Sequence, residues 1–291
     1  MNIGKINRIS IVKNGYVSRL KNIPSPPLEL YVAGTLPAKR QLTVAIIGPR
    51  KPSAYGREVT TRFTSFLAKH GAIIVSGLAF GVDSIAHQAT LDVGGTTIAV
   101  LANGLHHVYP ATHTSLAEAI VRSGGALLSE KPLGYEVRRH DFLARNRLIS
   151  GLADVIFVPE ATEKSGTLST VQHALEQGKD VFVTPGPITS PYSAGSNRLL
   201  QQGAHVALKP EDILEYSAPE LASELTQTKL LIGDTPLETD ILRLIQAGTQ
   251  DGDTISKQVQ APLNEYLQAI TMLELKGDIR PLGGNVWGLR S

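Results

Sequence analysis

TVAIIGPRKPSAYG, residues 43–56, and AIIVSGLAFGVD, residues 72–83, decide the fold. Each begins as a short apolar run rich in β-branched residues, the pattern of a strand covered on both faces by helices. Each run then stops at glycine. The turns Gly48-Pro49-Arg50-Lys51 and Ser76-Gly77-Leu78-Ala79-Phe80-Gly81 are expected to open helices and to leave backbone N–H groups free for an anion. Arg50 and Lys51 add mobile positive charge beside the first turn. In open α/β sheets ligands bind outside the carboxyl ends of the strands, so this stretch reads as half of a phosphate-binding edge.

Working outward, strands are expected at about 43–47, 72–76, 97–101, 126–129, 155–158, 181–184 and 205–208, with helical patterns between them and a last helix near 211–216. That alternation implies a parallel sheet with right-handed crossovers, a doubly wound Rossmann-like domain over 41–216. Residues 1–40 form a short basic segment, with no clean period before Pro24 and an extra edge strand at Leu28–Val32. The segment holds Lys5, Arg8, Lys13, Arg19, Lys21, Lys39 and Arg40 against one acid, Glu29, so it is read either as a polyanion-facing surface or as a solvated arm. Residues 217–235 read as a linker. Residues 236–291 then suit three helices and a hairpin around Gly283-Gly284, the pattern of a small winged-helix domain.

A chain of 291 residues can bury substantial cores in two domains. It has no cysteine, which excludes disulfides, thiol nucleophiles and Cys-ligated metal and fits a cytoplasmic protein. No secretory signal or membrane span is apparent. Walker A, G-x-S-x-G and complete G-x-G-x-x-G sequences are missing, so no cofactor is expected. His106, His107 and His113 lack an adjacent acid, and a metal site is not expected there.

The candidate binding residues lie at the expected strand ends. Ser165-Gly166-Thr167 and the segment with Asn197 precede helical patterns and suit helix caps or phosphate cradles. Arg138, Arg139, Arg145 and Arg147 fall within ten residues and suit phosphate or carboxylate forks. Arg145 and Arg147 are two apart and cannot share a helix face, so one of them is a candidate for an internal pair with Asp83 or Glu130. Phe142, beside this basic run, is a candidate base-stacking residue, with a core phenylalanine as the alternative.

The segments GPRKPSAYG, SGLAFGVDSIAH, TIAVLANGL, LLSE, FLARNRLISGL, KSGTLST, TPG and SAGSNRLLQQGA, in that order over about residues 24–215, resemble the DprA/Smf DNA-processing proteins of natural transformation. The resemblance implies an extended Rossmann fold, a homodimer, binding of single-stranded DNA, and loading of the recombinase RecA onto it. It places DNA contact on Arg50, Arg139, Phe142 and Lys164. Two departures stand out. Pro49 replaces the usual Ser or Thr of the phosphate turn, and the 40-residue head is too short for the helical N-terminal domain of many members. The winged helix also holds seven acids against five basic residues, including Arg290, and reads as a protein-docking or regulatory module rather than a duplex reader.

The rival is a nucleotide phosphoribohydrolase on the same scaffold. Gly166-Thr167-Leu168 is similar to the P-G-G-x-G-T-x-x-E motif of that family, but Ser169 and Thr170 follow and the expected glutamate is missing. Glu160 and Glu130 are the substitutes to consider. The preferred expectation is a DNA binder that is not an enzyme.

Overall fold

The computed structural model describes residues 3–222 and 233–289. Most of the expected linker 217–235, together with Arg290, lies outside the described residues. The chain folds as two units, Met1–Leu221 and Ala222–Ser291.

In the first unit the apolar runs form the centre of a nine-stranded sheet. Strands β3 (Thr43–Ile46), β4 (Ile73–Ser76), β5 (Thr97–Leu101), β6 (Ala126–Ser129), β7 (Val155–Val158), β8 (Asp180–Val183) and β9 (His205–Val206) are parallel, in the order β6-β5-β4-β3-β7-β8-β9. Every residue of β3 to β7 is buried. Helices α1 (Ala54–Lys69), α2 (Val82–Asp92) and α3 (Thr114–Arg122) pack beside one another, and α4 (Arg139–Leu152) packs beside α5 (Thr167–Glu176) and against β3, β4 and β5. The chain leaves β3 toward β6 and then returns through α4 to β7, on the other side of β3. The carboxyl ends of β3 and β7 therefore flank the topological switch point, where open α/β sheets hold ligands.

The head is more ordered than its sequence suggests. Strand β1 (Ile6–Ser10) pairs antiparallel with β2 (Glu29–Gly34), and β2 pairs antiparallel with β6, so the head extends the sheet by two strands. Between them a 3-10 helix, Val17–Asn22, buries Val17 and Leu20. Of its basic residues, Arg8 pairs with Glu29, while Arg19 and Arg40 both pair with Asp154. Helices α6 (Ala194–Gln201) and α7 (Pro210–Ser217) complete the unit.

The second unit contains α8 (Pro236–Gln246), α9 (Gly252–Val259), α10 (Leu263–Lys276) and the hairpin β10 (Ile279–Gly283) and β11 (Val286–Leu289). Ile241, Leu242, Ile245, Ile255, Ile270 and Leu273 are among its core residues. Its turn is displaced by one residue from the expected Gly283-Gly284. Gly283 pairs with Val286, and the turn residues are Gly284 and Asn285, both at positive φ as a two-residue hairpin turn of the primed type requires.

Candidate nucleic-acid interface

The two glycine turns behave differently, although both lie on the expected edge. In the turn after β4, the Asp83 carboxylate accepts the N–H of Gly77 at 3.1 Å and of Ala79 at 3.3 Å. This nest is already filled, by a carboxylate from its own chain. Burial raises the Asp83 pKa, with Arg145 and these N–H donors opposing it. In the turn after β3, the N–H groups of Arg50 and Lys51 have no acceptor among the described residues, and both side chains are exposed. That turn is the open one. Pro49 gives up an N–H, but its carbonyl accepts the Val82 N–H at 3.2 Å and so ties the first turn to the start of α2.

A cleft of about 710 Å³ opens at the switch point. Its walls include Pro49 and Arg50 after β3, Tyr109 from the loop after β5, Arg138, Arg139, Phe142 and Asn146 from the start of α4, and Ser165, Gly166, Thr167 and Thr170 after β7. Four lining residues are arginines, and Asp83 is the one acid among them, so the cleft favours an anion. The Phe142 ring lies 5.3 Å from that of Tyr109, and the Arg50 guanidinium carbon lies 5.7 Å from the Phe142 centroid. Arg50, Lys51, Arg138, Arg139 and Lys164 have no carboxylate partner among the described residues.

The start of α4 is held in place from outside the cleft. Buried Asp141 accepts the Arg138 N–H at 2.8 Å and pairs with Lys131 at 2.9 Å. Desolvation pushes its pKa up, but Lys131, the Arg138 N–H and the Tyr135 hydroxyl outweigh it and hold the carboxylate below its ordinary range. At the start of α5, whose N-cap is Gly166, Ser165 Oγ accepts the Thr167 N–H at 3.1 Å and the Ser165 carbonyl takes the Leu168 N–H. The Gly166 N–H, at the exposed end of that helix, has no acceptor among the described residues.

The expected binding residues thus divide. Arg50, Arg139, Phe142, Ser165, Gly166 and Thr167 meet in the cleft, and Lys51 and Lys164 are exposed next to lining residues. Arg145 lines the floor but is spent: buried, it donates to the carbonyls of Gly77 and Val100, and burial lowers its pKa to about 10 despite Asp83. Arg147 is outside the cleft and binds both oxygens of Glu130, at 2.7 and 2.9 Å. Both arginines are therefore internal, where the sequence reading placed only one. Gly77 lies beneath the cleft, and its bareness admits the Arg145 guanidinium. Asn197 is also structural, clasping the N–H and carbonyl of Gly186. Tyr109, Asn146 and Thr170 line the cleft as well, and none of them is among the candidate binding residues of the sequence, nor is the loop-filling role of Asp83.

Of the carboxylates weighed for hydrolysis, Glu160 is buried and accepts the Ser53 N–H and hydroxyl at 2.8 and 2.6 Å, and Glu130 is held by Arg147. Neither lines the cleft.

The fold and site define a class: a Rossmann-like domain with an arginine-rich cleft at its switch point, followed by a winged helix. Residues 7–218 match the family model of DNA recombination-mediator protein A, and residues 217–285 that of the DprA winged helix domain. The chain belongs to the DNA recombination-mediator protein A family. It is 37% identical to Protein Smf of Escherichia coli over 91% of this chain and 72% of that protein. With the DNA processing protein DprA of Bacillus subtilis the identity is 40%, over 76% of this chain and 74% of the other. The X-ray structure of DprA from Streptococcus pneumoniae superposes with a TM-score of 0.66 at 35% identity, covering 73% of this chain and 74% of that one. DNA processing protein A from Helicobacter pylori, which has a unique single-stranded DNA binding mode, gives 0.65 at 31% identity, covering 77% and 97%. Among the described residues no helix is long and apolar enough to cross a membrane.

Proposed function

We propose that the chain is a non-enzymatic, cytoplasmic mediator that binds single-stranded DNA in the switch-point cleft, protects it and loads RecA onto it during natural transformation. The observation that carries the reading is the pairing of unpartnered cations with a ring in one cleft. Arg50 and Arg139 line the same cleft as Phe142, with Lys51 and Lys164 exposed beside it. Cations hold successive phosphates, Phe142 stacks on a base, and sequence is scarcely read, because every base has a stacking face. The H. pylori relative supports the choice of a single strand as ligand. A homodimer would present two clefts to one strand and gain avidity through effective concentration.

The test is fluorescence anisotropy of a labelled oligo-dT at several salt concentrations, with duplex DNA as competitor. Preferential single-strand binding that weakens steeply with salt supports the reading, and RecA filament assembly on protein-bound strands is then the next assay. No binding at low salt overturns it.

A further inference from the structure

The turn that Asp83 fills carries one more side chain at the edge of the site. Phe80 is 46% exposed and is the exposed phenylalanine of the described residues, while Phe63, Phe157 and Phe182 are buried. Tyr109 is also 46% exposed. Both rings, with Phe142 and Arg50, border a small depression above Gly77 and Arg145. At about 20 Å³ the depression has no room for a base within it.

The Phe80 ring is held firmly. Buried Leu78, at φ +58°, anchors the turn on one side of Phe80, and Asp83 fixes the N–H groups of Gly77 and Ala79. On the other side Gly81, at φ +80°, packs so closely on the first turn that a Cβ there would meet the Pro49 carbonyl oxygen at 2.4 Å and the Arg50 backbone at 2.6 Å. The backbones of Phe80 and Arg50 are thus fixed relative to each other. The His113 ring stands edge-on to Phe80 at 4.9 Å, and its Nδ1 is 2.9 Å from the Leu78 carbonyl. An exposed ring at a fixed position beside a guanidinium without a carboxylate partner loses little entropy when a ligand covers it. Their setting favours a polyanion whose units carry flat apolar faces.

We propose that Phe80 and Tyr109 form a second base-stacking platform, adjoining Phe142, for a neighbouring nucleotide of the same single strand. The platform rests on the strand-binding reading above and adds to it a second stacked base, on residues outside the phosphate-binding set.

The experiment measures binding of the full chain to oligo-dT and to the same oligonucleotide with abasic residues, at several salt concentrations. Phe80→Ala and Tyr109→Ala are each expected to weaken binding to oligo-dT by about 5- to 150-fold, the range for loss of one stacked base. They should leave the salt slope unchanged, lose little further on the abasic strand, and keep the melting temperature of the unaltered protein. Arg50→Ala should instead flatten the slope. Tyr109→Phe should restore affinity. Phe80→Trp, in a Trp287→Phe background that removes the chain's one tryptophan, should bind normally and lose fluorescence on stacking. If Phe80→Ala and Tyr109→Ala bind like the unaltered protein while Arg50→Ala and Phe142→Ala are weakened, the platform is wrong and the strand-binding reading survives. If the unaltered protein binds no strand, both are overturned.

Discussion

The Arg145 guanidinium donates to the carbonyl of Gly77 at 2.8 Å, in a space that exists because residue 77 has no side chain. A Cβ at 77 would stand 2.7–2.8 Å from three atoms of that guanidinium. Arg145 cannot swing into solvent without abandoning the carbonyls of Gly77 and Val100, and it is buried. Gly77→Ala is therefore expected to destabilise the protein by about 1–3 kcal/mol, the usual cost of overpacking a tight interior. Urea denaturation checks the value. An unchanged midpoint would mean that the floor of the cleft relaxes freely.

Two arginines of α4 that lie eight residues apart should respond in opposite ways. Arg139 is exposed and unpaired in the cleft, whereas Arg147 is held by Glu130 outside it. Arg139→Ala should reduce the slope of log affinity against log salt by about 0.7, the share of one phosphate contact on a single strand, without loss of stability. Arg147→Ala should leave the slope unchanged and cost about 1–3 kcal/mol, because Glu130 loses its charged partner. Anisotropy and urea melts on both variants separate the roles.

These contrasts show what the sequence could convey. Strands β3 to β8 were readable because burial on both faces demands short continuous apolar runs, such as Ile73–Val75. Strand β1, INRIS, was not, because an edge strand with Asn7 and Arg8 exposed carries no such run. In the site, Phe142 was legible from the basic run around it. Tyr109 was not, since its ring reaches Phe142 only through the loop after β5, 33 residues away in sequence. The role of Asp83 did leave a signal: an acid in the first turn of a helix after a glycine loop is a natural cap for that loop's own N–H groups.

Stability should also fall with acidification below about pH 6.5, through His87. This residue of α2 is fully buried, with Nδ1 2.7 Å from Oγ1 of Thr97 on β5 and Nε2 without a partner among the described residues. Burial, assisted by His113 and Arg145, lowers its pKa to about 3. The native state then binds fewer protons than the unfolded chain between about pH 6.5 and 3. Its contribution is complete above the unfolded value and is lost as pH drops, by up to about 1.4 kcal/mol per pH unit. Replacing His87 with Leu should flatten that dependence in denaturant melts between pH 6.5 and 4, even if it shifts the overall level. A slope equal to that of the unaltered protein would place the acid sensitivity elsewhere.

The winged helix should add little to DNA affinity. Helix α10 occupies the position that enters the major groove in winged helices that read duplex DNA, yet its exposed residues include Leu263, Leu267, Met272 and Leu275 beside Glu265 and Glu274. Its one cation, Lys276, is held by Asp234 and Glu238 at 2.7 and 2.8 Å. Phosphates meet repulsion there rather than counter-charge. A chain ending at Leu221 should bind duplex and single strands with unchanged salt slopes, whereas Glu265→Lys combined with Glu274→Lys in the full chain should gain duplex affinity, steepening the slope by up to about 0.9 for each phosphate engaged. Loss of duplex binding on truncation would show that this unit grips DNA through a surface other than α10, with the exposed wing residue Arg280 as the first to substitute.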